Sequence, residues 1–202
     1  RTIIFFASDN GTDVLINGSL NGKKVKGGKG TQNEAGVCGP FIVNCPGTVP
    51  AGVETDALTD LSDMLPTFVE LGGGKLPKDL IVDGKSMAPL ILEREKDSAR
   101  DWIMALSFGK ARLDKLGILP GQTFGPRVIR DKQFKVWVDQ KKQITRLHNL
   151  KKDPAEEKNL LSSKQREHRR AIIKFQEIVK TFPKTDGRPL YEARAANSWD
   201  RK

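Results

Sequence analysis

The feature that most restricts the fold lies at residues 2–11, which read TIIFFASDNG. Ile3, Ile4, Phe5 and Phe6 follow one another with no polar residue between them. A continuous β-branched and aromatic run suits a strand covered on both faces, as in the parallel sheets of α/β proteins. Asp9, Asn10 and Gly11 then stop it with turn chemistry. In open α/β sheets ligands gather at the carboxyl ends of strands. Asp9 and Asn10 there present two hard oxygen donors of the kind calcium or magnesium takes. The same residues also suit an Asx turn that merely closes the strand.

Residues 17–36, NGSLNGKKVKGGKGTQNEAG, are glycine-rich, polar and basic, and read as a long loop. Structureless loops of that length are uncommon inside domains and usually functional. Lys29 sits in GGKGT, where flanking glycines let the backbone approach an anion and the ammonium adds charge. The P-loop pattern fails because Gly30 follows the lysine. A flexible basic loop is the plainer alternative.

PFIVNCPG, residues 40–47, reads as a second short strand. Leu58, Leu61, Leu65, Phe68 and Val69 fall at helical spacing, with Pro66 predicting a kink or two helical pieces. After about residue 100 the pattern changes to strands in RDWIMALSF, GPRVIRD, QFKVWVD and ITRLHNL. Phe134, Val136 and Val138 alternate with Lys135, Trp137 and Asp139, as in a half-buried antiparallel sheet. KKDPAEEKNLL reads as a turn into a helix, and residues 163–181 as an amphipathic helix bearing Ile172, Ile173, Phe175, Ile178 and Val179. The expected division is an α/β portion over residues 1–98, an antiparallel sheet with a terminal helix over 99–182, and a polar tail over 183–202.

Composition removes several function classes. Two histidines and two cysteines leave little for a zinc site or a Ser-His-Asp triad. Cys38 and Cys45 form neither a disulfide framework nor a CxxC pair. No run of 18 apolar residues is present to span a membrane. The net charge of +10 favours anionic partners. No basic motif interleaved with aromatics points to nucleic acid.

Taken in order, TIIFFASDNG, GGKGTQNEAGVCGPFIV, DALTDLSDMLPTFVELGG and DGKSMAPLI resemble the later half of the type I sulfatases, relatives of alkaline phosphatase. RDWIMALSFG, RVIRDKQFKVWVD and LHNLKKDPAEEKNLL continue the resemblance, which covers roughly residues 2–165. It implies an α/β fold: part of an alkaline-phosphatase-like sandwich, with some of its central mixed sheet and helices, plus a small C-terminal antiparallel sheet and helix. It implies sulfuric ester hydrolysis, with Asp9 and Asn10 as metal ligands for calcium, or magnesium as the alternative. Lys29 matches the lysine that contacts the sulfate group, and Glu34 a glutamate with a supporting role. Ala35 and VCGP depart from the family pattern of Glu-Gly-Gly followed by arginine.

The family's formylglycine is made from the first residue of Cys/Ser-x-Pro-x-Arg. CGPFI at residues 38–42 has Ile42 where arginine is required, and it follows the Asp-Asn pair instead of preceding it. Cys38 is therefore rejected as nucleophile, and no catalytic residue is assigned. The chain is expected to correspond to the later part of a larger domain and to be inactive alone. Its expected partners are a sulfate-ester substrate and either the N-terminal half of the domain or a second copy at an exposed strand edge. A non-catalytic polyanion-binding module, or a truncated paralogue, is the alternative. A two-zinc phosphatase or phosphodiesterase fits poorly with so few histidines. Location outside the cytoplasm, periplasmic or secreted, is suggested by the family alone.

Overall fold

Strand alternation in the second half of the chain builds its main sheet. The computed structural model describes residues 2–20, 22–106, 112–114, 117–119 and 124–186. The expectations for residues 107–109 and for the tail from 187 onward lie outside the described residues. Elements in chain order are β1 (Ile4–Ala7), β2 (Asn17–Leu20), β3 (Lys23–Lys26), α1 (Glu34–Val37), β4 (Phe41–Asn44), a 3-10 turn (Leu61–Asp63), α2 (Met64–Leu71) and α3 (Ala88–Ile91). They continue with β5 (Ile103–Leu106), β6 (Arg112–Asp114), β7 (Gly117–Leu119), β8 (Arg127–Arg130), β9 (Phe134–Val138), β10 (Ile144–Asn149) and α4 (Arg166–Thr181).

β10, β9, β8 and β5 form an antiparallel sheet in that order. Residues opposite one another on paired strands share a face. One face therefore carries Met104, Ile129, Val136 and Leu147, and the other carries Ile103, Arg130, Lys135 and His148. The first face packs on α4 through Ile129, Phe134, Val136, Val138, Leu147, Ala171, Phe175 and Val179, the core of the molecule. The helix begins at Arg166, three residues later than its apolar spacing predicts, and residues 154–165 before it hold turns and extended chain. Among the described residues no helix is long and apolar enough to cross a membrane.

β1 pairs with β4 in a separate two-stranded antiparallel sheet. This corrects the expectation of a parallel strand covered on both faces. Phe5 packs against Phe41 and, edge-on at 5.1 Å, against Phe68 of α2. Ile4 and Phe6 on the opposite face are each 59% exposed, with Ile42 beside them at 57%. The apolar run is present, but the described residues supply a cover for only one side.

Pro66 falls in the first turn of α2, directly after the 3-10 turn, so the expected two helical pieces are observed. Leu58 is buried, but Leu61, Leu65 and Phe68 remain exposed, a correction to the apolar face read from spacing. The buried side of this segment is polar. Asp63 accepts hydrogen bonds from the Asp60 N–H at 2.9 Å and the Lys85 N–H at 2.7 Å, and it pairs with Arg100. Thr67 Oγ1 donates to the Asp63 carbonyl at 2.6 Å and accepts from the Met87 N–H at 2.8 Å. The Asp63 and Thr67 side chains thus anchor the segment containing Asp83-Gly84, whose glycine is needed because a Cβ there would lie 2.0 Å from the Ser62 carbonyl oxygen.

Candidate active site

The tip of β1, the chain around α1 and the polar face of the main sheet enclose a cleft of about 260 Å³. Asp9 and Asn10 line it, together with Glu34, Cys38, Asp60, Arg130 and Lys135. Asp9 is exposed and Asn10 half-buried. The Ser8 hydroxyl donates to the Asn10 carbonyl at 2.6 Å and holds the turn. Among the described residues no group of three or more His, Cys, Asp and Glu could hold a metal ion. Asp9 and Asn10 suit a hard cation chemically, but two oxygens fall short of the six to eight that calcium takes.

Lys29 does not line this cleft, yet its backbone is fastened to Thr12, two residues after Asn10. The Thr12 carbonyl accepts from both the Gly28 and Lys29 N–H groups, at 2.9 Å each. The Gly11 N–H donates to the Gly36 carbonyl at 2.9 Å. Backbones approach this closely because glycines stand at the crossings: a Cβ on Gly11 would lie 2.0 Å from the Ala35 oxygen, and one on Gly36 2.3 Å from the Gly28 oxygen. The Lys29 side chain is exposed. Residues 17–36, expected to be a loop, contain the β2–β3 hairpin and α1, because β-pairing satisfies the polar backbone that composition alone leaves unassigned.

Glu34 joins two basic residues of the polar sheet face. It pairs with Arg130 through Oε2, and with Lys135 through Oε1 at 3.0 Å. Lys135 was expected on the solvent side of a half-buried sheet. Instead its side chain is fully buried, and Gln32, Glu34 and Glu156 close around its ammonium. Its ammonium donates to the Gln32 carbonyl at 2.6 Å and to Glu156 Oε1 at 2.9 Å. Glu156 also accepts from the Glu34 N–H at 2.6 Å and the Trp137 Nε1–H at 3.2 Å. Its φ of 57° is a left-handed conformation unusual for a non-glycine residue, held there by these bonds. Arg130, Lys135 and Glu156 escaped the sequence reading. Glu156 sits in the DPAEEKNL stretch, the one local signal available, while Lys135 has none.

Cys38 is exposed at the cleft, and its thiol is held above its ordinary value by desolvation and then by the Glu34 carboxylate, with Arg130 and Lys135 opposing. A raised pKa keeps the thiol protonated at neutral pH and lowers its reactivity.

Residues 29–181 match the family described as N-sulphoglucosamine sulphohydrolase, C-terminal. Human arylsulfatase D is 38% identical over 109 residues, covering 50% of this chain and 18% of that protein. A sulfatase of Formosa agariphila is 30% identical over 165 residues, covering 80% of this chain and 29% of that protein. The solved structure of a 2-O GAG sulfatase superposes with a TM-score of 0.60 at 22% identity, covering 93% of this chain and 39% of the other. The chain thus spans less than a third of the length of these curated relatives.

Proposed function

The chain belongs to the sulfatase family, and from that premise we propose that it carries part of a sulfuric ester hydrolase site. Asp9 and Asn10 supply two oxygen ligands to a divalent cation, calcium or magnesium, and Lys29 binds the sulfate group. The observation that supports this reading is the backbone clamp that ties the Lys29 loop to the turn after Asp9 and Asn10. A bound cation would supply charge stabilisation for oxygens that become more negative as the ester cleaves. The lysine ammonium supplies the same kind of stabilisation from a fixed position. Arg130, Lys135 and Glu34 hold the floor of the cleft and the segment leading from Lys29.

The sequence holds no Cys/Ser-x-Pro-x-Arg motif from which the formylglycine nucleophile would be made. The chain alone is therefore expected to bind sulfate weakly and to leave sulfate esters intact. Titration with inorganic sulfate, followed by amide chemical shifts around Lys29, tests the binding. Shifts centred on residues 27–31 that vanish in Lys29→Gln support the assignment, and unchanged shifts in that variant overturn it. Sustained release of chromophore from an aryl sulfate by the purified chain would overturn the expected inactivity.

A further inference from the structure

We propose that the β2–β3 hairpin is an exosite for a linear, repeatedly sulfated polymer, so that this site acts on polymeric and not only small esters. The inference rests on the assignment of sulfate binding to Lys29 but concerns different residues. Register places Asn17 opposite Lys26 and Ser19 opposite Lys24. Cross-strand partners share a face and residues two apart on a strand point the same way, so Asn17, Ser19, Lys24 and Lys26 form one face. That face holds two lysines whose Cα positions lie about 6.6 Å apart along the strand, with an amide and a hydroxyl on the neighbouring strand. All four residues are exposed, and neither lysine makes an ion pair among the described residues. Cations with neutral hydrogen-bonding groups beside them suit a chain that carries both sulfates and sugar hydroxyls.

The hairpin is coupled to Lys29 by its base. The Gly27 N–H donates to the Ile16 carbonyl at 2.9 Å, one step before the paired bonds from Gly28 and Lys29 to Thr12. A Cβ on Gly27 would lie 1.8 Å from the Asp13 oxygen, so the two strands are in backbone contact where they leave the hairpin. A polymer lying along Lys24 and Lys26 therefore continues toward Lys29. Residues 17–29 contain no aromatic side chain, which removes the stacking platform that single-stranded nucleic acid uses.

Binding of a heparin hexasaccharide to the purified chain, measured calorimetrically between about 50 and 200 mM salt, tests this. Lys24→Gln/Lys26→Gln is expected to weaken binding about tenfold and to flatten its salt dependence, since fewer counterions are released. Arg169→Gln/Arg170→Gln removes the same charge from exposed positions on α4, across the sheet, and is expected to stay within about twofold because salt screens distant charges. Equal losses in both variants, no loss in the hairpin variant, no binding by the unsubstituted chain, or tighter binding of a single-stranded DNA of equal charge would each overturn the proposal. Inorganic sulfate binding should be unchanged in the hairpin variant and lost in Lys29→Gln. A failed exosite thereby differs from a failed Lys29 assignment.

Discussion

Lys135→Met would expose the energetics of the cleft floor most directly. The native ammonium is fully enclosed and satisfied by three acceptors: the Gln32 carbonyl at 2.6 Å, Glu34 Oε1 at 3.0 Å and Glu156 Oε1 at 2.9 Å. Methionine fills similar volume, so the change is chiefly electrostatic. Removing one member of a buried ion pair costs about 3–5 kcal/mol, because the remaining charge is left without its partner. Glu34 keeps Arg130, and Glu156 keeps the Glu34 N–H and Trp137, so the expected loss lies near the lower figure, about 3 kcal/mol. Urea denaturation should show a lower midpoint with an unchanged slope. Lys135→Met/Glu156→Gln removes the orphaned charge and should recover about 1–2 kcal/mol. In the single variant, hydrogen exchange of the Glu34 amide should accelerate, since its acceptor is no longer held in place. A loss below about 1 kcal/mol, the range of exposed pairs, with unaltered exchange at Glu34, would refute the idea that this network holds residues 32–38 on the sheet.

Three further outcomes are expected. Gly11→Ala should cost about 2–3 kcal/mol by forcing the Asp9-Asn10 turn off the Ala35 carbonyl, whereas Gly30→Ala, with φ of 84° but open space, should cost only about 1–2 kcal/mol; thermal melts of both variants compare them. Alkylation of Cys38 should rise only above the pH at which ordinary thiols react, and Glu34→Gln should move that rise downward because one cause of the shift is removed; rapid modification at neutral pH would contradict it. The bare face of Ile4, Phe6 and Ile42 should drive concentration-dependent association that Phe6→Glu suppresses, and sedimentation showing a monomer at every concentration would refute this.

The ordered motifs made the family, the four-stranded sheet and the amphipathic helix legible from the chain alone. These depend on local information: residue alternation at 134–138, apolar spacing at 171–179, and turn residues at fixed places. Asp9, Asn10 and Lys29 were likewise visible as chemistry-bearing residues in glycine-rich turns. Their relative placement was not, because it depends on backbone contacts between segments about twenty residues apart in sequence. The hairpin at residues 17–26 was also hidden, since glycine and lysine composition argues for a loop until strand pairing satisfies the backbone.

What the sequence determined by itself is the set of local elements and the residue types at the cleft, because propensity and periodicity act within a few residues. What only the tertiary structure decided is the environment of each side chain. Lys135 and Phe6 both sit in strands with plain patterns, yet the lysine is enclosed and the phenylalanine exposed. Burial depends on what the rest of the chain lays over a face, and at Lys135 that cover is the Gln32 carbonyl and the Glu34 and Glu156 carboxylates, brought from 103 and 101 residues before and 21 after.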